Sequence, residues 1–215
     1  MNKKFFSLSR ENMIKNQIIT NQVFDQELID AFLEVDKEKF VPSSQQPIVY
    51  SDSNILISEN RYLMKTFTFA KILQNCSIKK TDSVLIIGCL TGYSVAILSK
   101  IAGYVFGIEK DKKIVEKANK TLTDMGYLNC SVVRSSLVDG LKKNSPFDKI
   151  IIEGGVDFVP ENILDQLRNG GKIFLMQRKP NNVIYEFTMG LKSNNNVSFR
   201  PIFSCNSVFL DDFKK

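Results

Sequence analysis

Two glycines, a tyrosine and two acids stand where this chain could do chemistry. Gly88 follows the apolar run Val84–Ile87, and Gly92 and Tyr93 open an amphipathic stretch that ends at Ile101. Glu109 closes a second apolar run, Tyr104–Ile108, 21 residues after Gly88. A buried strand, a glycine turn, a helix and an acid about 20 residues on make a nucleotide-binding βαβ unit. The glycines let backbone approach the ligand, and the acid accepts hydrogen bonds from ribose hydroxyls. Glu153 follows Ile150-Ile151-Ile152, at the carboxyl end of a further strand, where sheets of this kind border their ligand crevice. Each position also has a plainer reading. Gly88 and Gly92 could form a bare strand–helix turn, Tyr93 could be helix packing, Glu109 a solvated carboxylate, and Glu153 a turn residue beside Gly154-Gly155.

Composition removes several other chemistries. The chain has no histidine, so histidine triads, histidine general bases and the usual zinc or non-haem iron ligand sets are excluded. The four cysteines, Cys76, Cys89, Cys130 and Cys205, are scattered without Cys-x-x-Cys spacing. No metal site or disulfide framework is expected, and the thiols point to a reducing compartment. The net charge of +6 comes from dispersed lysines without interleaved aromatics, so no nucleic-acid partner is expected. Met1-Asn2-Lys3-Lys4-Phe5-Phe6 is too short an apolar stretch for a signal peptide, and no run reaches 18 apolar residues. The expectation is a cytoplasmic protein with no membrane segment.

The elements that position these residues follow from periodicity. Ser9–Ile19 has helical spacing, Asp25 caps a helix through Val35, and Phe40-Val41-Pro42 ends that region. Residues 43–62 read as a long loop with brief alternation at Ile55-Leu56-Ile57, and long loops within compact domains are often functional. A helix over Phe67–Leu73 precedes the first central strand. Strands are predicted at 84–87, 104–108, 130–134, 148–152 and 171–177, and helices at 93–101, 111–125 and 161–168, the last stopped by Gly170-Gly171. Val183–Leu191 and Val197–Phe203 form a hairpin across Lys192–Asn196. The expected fold is α/β: a doubly wound, mostly parallel Rossmann-like sheet with N-terminal helices and a C-terminal antiparallel hairpin. One domain spans 1–215, with N-terminal helices and a loop at 1–80 and the core at 81–215.

A glycine turn, a ribose acid and a terminal hairpin on such a sheet resemble class I S-adenosylmethionine-dependent methyltransferases. Asn12-Met13-Ile14 with Gln17, Ala31, Val35, Lys39-Phe40-Val41-Pro42 and Tyr50-Ser51-Asp52 narrow the resemblance to the protein-L-isoaspartate O-methyltransferase family. Pro146–Ile151, Val159-Pro160-Glu161, Leu164–Leu167 and Gly170-Gly171-Lys172 also match, so the resemblance covers nearly the whole chain. It implies S-adenosyl-L-methionine as cofactor and a protein or peptide with an exposed carboxylate as methyl acceptor. It places Gly88, Gly92, Tyr93 and Glu109 around the cofactor. Ser136 stands in the run Arg134-Ser135-Ser136-Leu137, where the family has an acid near the adenine. Glu153, at its strand's carboxyl end, is the candidate to face the cofactor's cationic end.

Departures from the family pattern are specific. Ile86 stands where the family has an acid, and Leu90 replaces a glycine. The family's Thr-Ile-Ser substrate loop becomes Tyr62-Leu63-Met64, leaving Arg61, Tyr62 and Lys65 as candidate residues toward the acceptor. Carboxyl methylation is an in-line attack by an ionised carboxylate on a sulfonium methyl. It needs no general base, so the lack of histidine is compatible with it. Two other readings stand beside this one: a family member that has lost catalysis and acts as a binding or scaffold protein, and, behind it, a dinucleotide oxidoreductase. Oligomeric state is not legible.

Overall fold

The computed structural model describes residues 3–179 and 184–215. Helices α1 (Lys3–Met13) and α2 (Gln26–Glu34) lead, joined by a π-turn at Ile14–Ile18 and a 3-10 turn at Ile19–Asn21. Asp25 caps α2 by accepting from the Leu28 amide at 3.2 Å. The hairpin β1 (Ile55–Ser58) and β2 (Arg61–Leu63) precedes α3 (Thr66–Cys76). Then come β3 (Ser83–Ile87), α4 (Tyr93–Ile101), β4 (Tyr104–Glu109), α5 (Lys112–Asp124), β5 (Cys130–Arg134), β6 (Phe147–Val156), α6 (Glu161–Asp165), β7 (Leu167–Arg178), β8 (Tyr185–Ser193) and β9 (Asn196–Cys205).

Seven of these strands form one sheet in the order β5-β4-β3-β6-β7-β8-β9. The first five are mutually parallel, and β8 and β9 add the antiparallel hairpin. Strand order reverses between β3 and β6, so the crevice of this fold class lies beyond their carboxyl ends. Residues two apart share a sheet face, and this alternation divides the core. Val84, Ile86, Val105, Ile151 and Phe174 pack with α2, α3, α4 and α5 on one face. Leu85, Ile87, Ile108, Ile150 and Ile152 pack with Leu137, Ile163, Leu210 and Phe213 on the other.

The structure moves several expected boundaries. The first helix begins at Lys3 rather than Ser9. Residues 43–62 are not one irregular loop: they hold a 3-10 turn at Ser43–Ile48 and most of the β1–β2 hairpin. The helix at 161 stops at Asp165 because Leu167 already pairs with Phe147, while the Gln166 carbonyl accepts from the Phe147 amide at 2.8 Å. Gly170 therefore lies inside β7 with φ +79°, not at a helix end. Val183, the expected start of the C-terminal hairpin, lies outside the described residues.

The carboxyl edge of β6 carries a connection that periodicity did not reveal. The Gly155 amide donates to the Val208 carbonyl at 2.8 Å, and the Leu210 amide donates to the Gly155 carbonyl at 2.9 Å. The tail thus returns across the sheet edge. Glycine is required there: a Cβ on Gly154 would come within 2.4 Å of Leu210 Cγ, and one on Gly155 within 2.1 Å of the Tyr185 ring. Gly154-Gly155 is strand, and Glu153 beside it is a strand residue rather than a turn residue.

Candidate functional site

Parallel pairing of β3 with β4 sets Ile87 beside Ile108 and brings Glu109 against the turn that follows β3. Gly88 has φ +84° and Gly92 has φ +88°, the left-handed region that glycine enters without steric cost. Leu90, between them, has φ +47° and is buried. Its amide donates to Glu109 Oε2 at 3.2 Å. The Glu109 carboxylate is therefore wired to the turn rather than solvated, and its side chain is 0% exposed.

The charge on Glu109 is met by the hairpin. Arg61, on β2, donates Nη1 to Oε1 at 3.1 Å and Nη2 to Oε2 at 2.8 Å. Nη2 also lies 3.4 Å from the Gly88 carbonyl. Such a two-pronged guanidinium–carboxylate contact is among the stronger polar contacts available to a protein. A cleft of about 410 Å³ opens beside it, lined by Asn60, Arg61, Glu109, Lys110, Asp111 and Asp212 among others. Its far rim is tied by Lys110 Nζ to Asp212 Oδ2 at 2.7 Å, so the returning tail closes one side.

Behind the turn, polar atoms lie buried without partners. Among the described residues such atoms are Thr91 Oγ1, Ser94 Oγ and Glu153 Oε2 here, and Gln17 Oε1 and Tyr93 Oη toward the N-terminal helices. Glu153 lies two residues beyond Ile151, which is paired with Ile86. The acid thus occupies the same carboxyl edge as the position where Ile86 offers no charge. Burial pushes the Glu153 carboxyl up to about 7, while Ser94 and Arg61 pull the other way. Lys37, fully buried, donates Nζ to Thr66 Oγ1 at 2.8 Å and is pushed down to about 7 by burial, with Glu153 opposing.

The remaining candidates separate. Tyr93 packs between Phe32 and Phe40 under the N-terminal helices and is not part of the cleft lining. Ser136 is exposed in the turn after β5, also outside that lining, with its carbonyl accepting from Asp139. Tyr62 faces solvent on the hairpin, and Lys65 Nζ lies 4.3 Å from the centre of the Phe67 ring. Met64 is buried in a tight apolar pocket with Phe69, Ile151, Glu153 and Phe187. Sequence reasoning missed Lys37, Ser94, Asp211 and Asp212. The Gly154-Gly155 pair was the available signal for the last two, since two strand glycines mark a close approach.

A doubly wound sheet with an antiparallel hairpin, an acid at the end of β4 and a cleft beside that acid defines a class I methyltransferase fold. The family model described as protein-L-isoaspartate(D-aspartate) O-methyltransferase (PCMT) matches residues 8–211, and the chain belongs to that family. A protein-L-isoaspartate O-methyltransferase 2 of Shewanella sediminis is 34% identical over 80% of this chain and 70% of its own length. The corresponding Geotalea uraniireducens protein is 32% identical over 78% of this chain and 77% of its own. Among solved structures, a protein-L-isoaspartate O-methyltransferase superposes with a TM-score of 0.84 at 24% identity, covering 95% of this chain and 67% of that one. A Plasmodium falciparum protein described as a beta-aspartate methyltransferase (PCMT), in complex with S-adenosyl-L-homocysteine, superposes with a TM-score of 0.78 at 19% identity, covering 96% and 98%. These relatives give no support to a scaffold or oxidoreductase reading.

Proposed function

We propose that this protein transfers the methyl group of S-adenosyl-L-methionine to a carboxylate of a damaged protein or peptide. One observation carries the reading. Thr91 and Ser94, in and just after a left-handed glycine turn, and Glu153 keep buried side-chain oxygens without partners, and in front of that turn a buried acid borders an open cleft. Buried polar groups without partners are expensive in a finished core, so this cluster fits a ligand that completes it. Family membership and the relatives' names support the same activity.

The residues divide the work. Glu109 would hold the ribose, and Glu153, with Oε2 free and Ser94 beside it, would face the ammonium and sulfonium end. When bound, the cofactor supplies an electrophilic methyl group. The chain's own task is to orient an ionised acceptor carboxylate in line with it and to exclude water, a role for which well-held pairs gain about 7–11 kcal/mol. The hairpin is the element placed to do this, since Arg61 forms the cleft wall nearest the turn. We place this work in the cytosol, supported by four free cysteines. No helix among the described residues is long and apolar enough to cross a membrane.

The test is methanol release from an isoaspartyl peptide, alongside the same peptide with normal aspartate. Turnover of the first alone supports the reading. No turnover, together with no binding of S-adenosylhomocysteine, overturns it.

A further inference from the structure

Arg61 stands where the proposed ribose must bind. Its guanidinium covers both oxygens of Glu109 and reaches the Gly88 carbonyl, the two groups a ribose would approach. Glu109 is 0% exposed and cannot accept a ribose while Arg61 keeps both oxygens. Arg61 itself is largely covered, 14% exposed, yet it lines the open cleft and is carried by a hairpin strand of three residues next to the exposed Glu59 and Asn60. The backbone of β2 is held by the buried Leu63 and by its pairing with Ile55. The long arginine side chain can therefore leave Glu109 without the hairpin unzipping.

We propose that Arg61 changes partners during the reaction: it neutralises Glu109 in the ligand-free protein and pairs with the acceptor's carboxylate once Glu109 holds a ribose. The inference rests on the methyltransferase reading above and goes beyond it by assigning a substrate-positioning residue and an order of binding. Ribose hydroxyls are neutral, so cofactor binding alone trades a charge-paired guanidinium for an unpaired one. That exchange weakens cofactor binding. An acceptor carboxylate restores an anionic partner to the freed guanidinium, in the two-pronged geometry arginine favours. Cofactor and acceptor must then strengthen each other's binding, and thermodynamic linkage requires the same factor in both directions. Acceptor binding before cofactor is disfavoured because the guanidinium is already engaged. No base is involved: the acceptor arrives ionised, and Arg61 holds it by charge and geometry alone.

The experiment is calorimetric titration of S-adenosylhomocysteine into the full chain, with and without saturating isoaspartyl peptide. Wild type should bind several-fold to about 100-fold more tightly with the peptide present, the usual range of such coupling. Arg61→Gln should bind S-adenosylhomocysteine alone about tenfold more tightly than wild type and lose the peptide effect. Arg61→Lys keeps the charge but not the fork, and should retain a reduced effect. If wild type binds S-adenosylhomocysteine without any peptide effect, the partner change is wrong whatever the variants do. If Arg61→Gln still shows the full peptide effect, Arg61 is not the residue responsible. If neither wild type nor variant binds S-adenosylhomocysteine, the cofactor reading fails and this inference falls with it.

Discussion

Leu90 shows how one side chain can tax a site it does not touch chemically. Its φ of +47° lies in the region where a Cβ meets the following carbonyl, at a cost of roughly 1–2 kcal/mol. The strain is held by the flanking turn, by burial of the leucine, and by its amide's bond to Glu109. Leu90→Gly removes both the strain and the side chain in the turn that must admit a ligand. Affinity for S-adenosylhomocysteine should rise several-fold, read by calorimetry, and unchanged or weaker binding would show that the turn has settled around leucine. Glu109→Ala acts in the opposite sense. It deletes the proposed ribose acceptor and strands Arg61, and loss of one partner from a buried pair costs about 3–5 kcal/mol. A lower melting temperature and loss of S-adenosylhomocysteine binding are the expected pair of results, and retained affinity would remove the ribose role.

At the scale of elements, β6 and the segment after α2 press two ionisable groups into the same core. Burial raises the Glu153 carboxyl from 4.5 to about 7 and lowers the Lys37 ammonium from 10.5 to about 7. The signs follow from which state holds the extra proton. Between about pH 4.5 and 7 the folded protein keeps the Glu153 proton that the unfolded chain has lost, so stability falls as pH rises. Between about pH 7 and 10.5 the unfolded chain keeps the Lys37 proton that the folded protein has lost, so stability rises with pH. The contribution of these two groups therefore has its minimum near neutrality. Glu153→Gln should flatten the acid limb of the melting-temperature profile and leave the alkaline limb. The same variant should lose about tenfold in S-adenosylmethionine affinity, about 1.4 kcal/mol, if the carboxylate meets the cofactor's cationic end. In wild type that affinity should rise from pH 6 to pH 8 as Glu153 ionises, and a profile identical to that of Glu153→Gln would end the idea.

The same elements show what a linear reading reaches. The β3-α4-β4 unit was legible because its strands are continuous apolar runs and its turn needs glycine, both local properties. Asp25 as a cap was legible for the same reason. The start of α1 was not, since Lys3–Leu8 presents only Phe6 as a buried residue and so has little periodicity to read. The end of α6 was set from outside by pairing with β6. The Arg61–Glu109 contact joins residues 48 apart on different elements, and no spacing rule predicts it. Lys37 was hidden because a lysine beside two other charges reads as surface.

Taken whole, the molecule has a field at odds with its site. The chain carries a net charge of +6, yet the cleft is lined by Glu59, Glu109, Asp111, Asp211 and Asp212 against Arg61 and Lys110. An acid-lined cleft in a basic protein attracts a cation locally while the rest of the surface attracts anions. S-adenosylmethionine carries one more positive charge, the sulfonium, than the S-adenosylhomocysteine left after transfer. The cleft should therefore hold the reactant more tightly than the product, which favours release after each turnover. Salt separates this electrostatic preference from shape, because the two ligands differ little in size. Raising ionic strength from about 0.01 M to 0.1 M shortens the screening length from about 30 Å to about 10 Å. S-adenosylmethionine affinity should fall several-fold over that range while S-adenosylhomocysteine affinity changes little. Asp211→Asn combined with Asp212→Asn should reduce the difference, since both acids belong to the tail at the rim. Calorimetry of both ligands at the two salt concentrations measures the slopes directly. Equal slopes would mean that the cleft's charge is already neutralised by Arg61 and Lys110, leaving contact geometry to discriminate reactant from product.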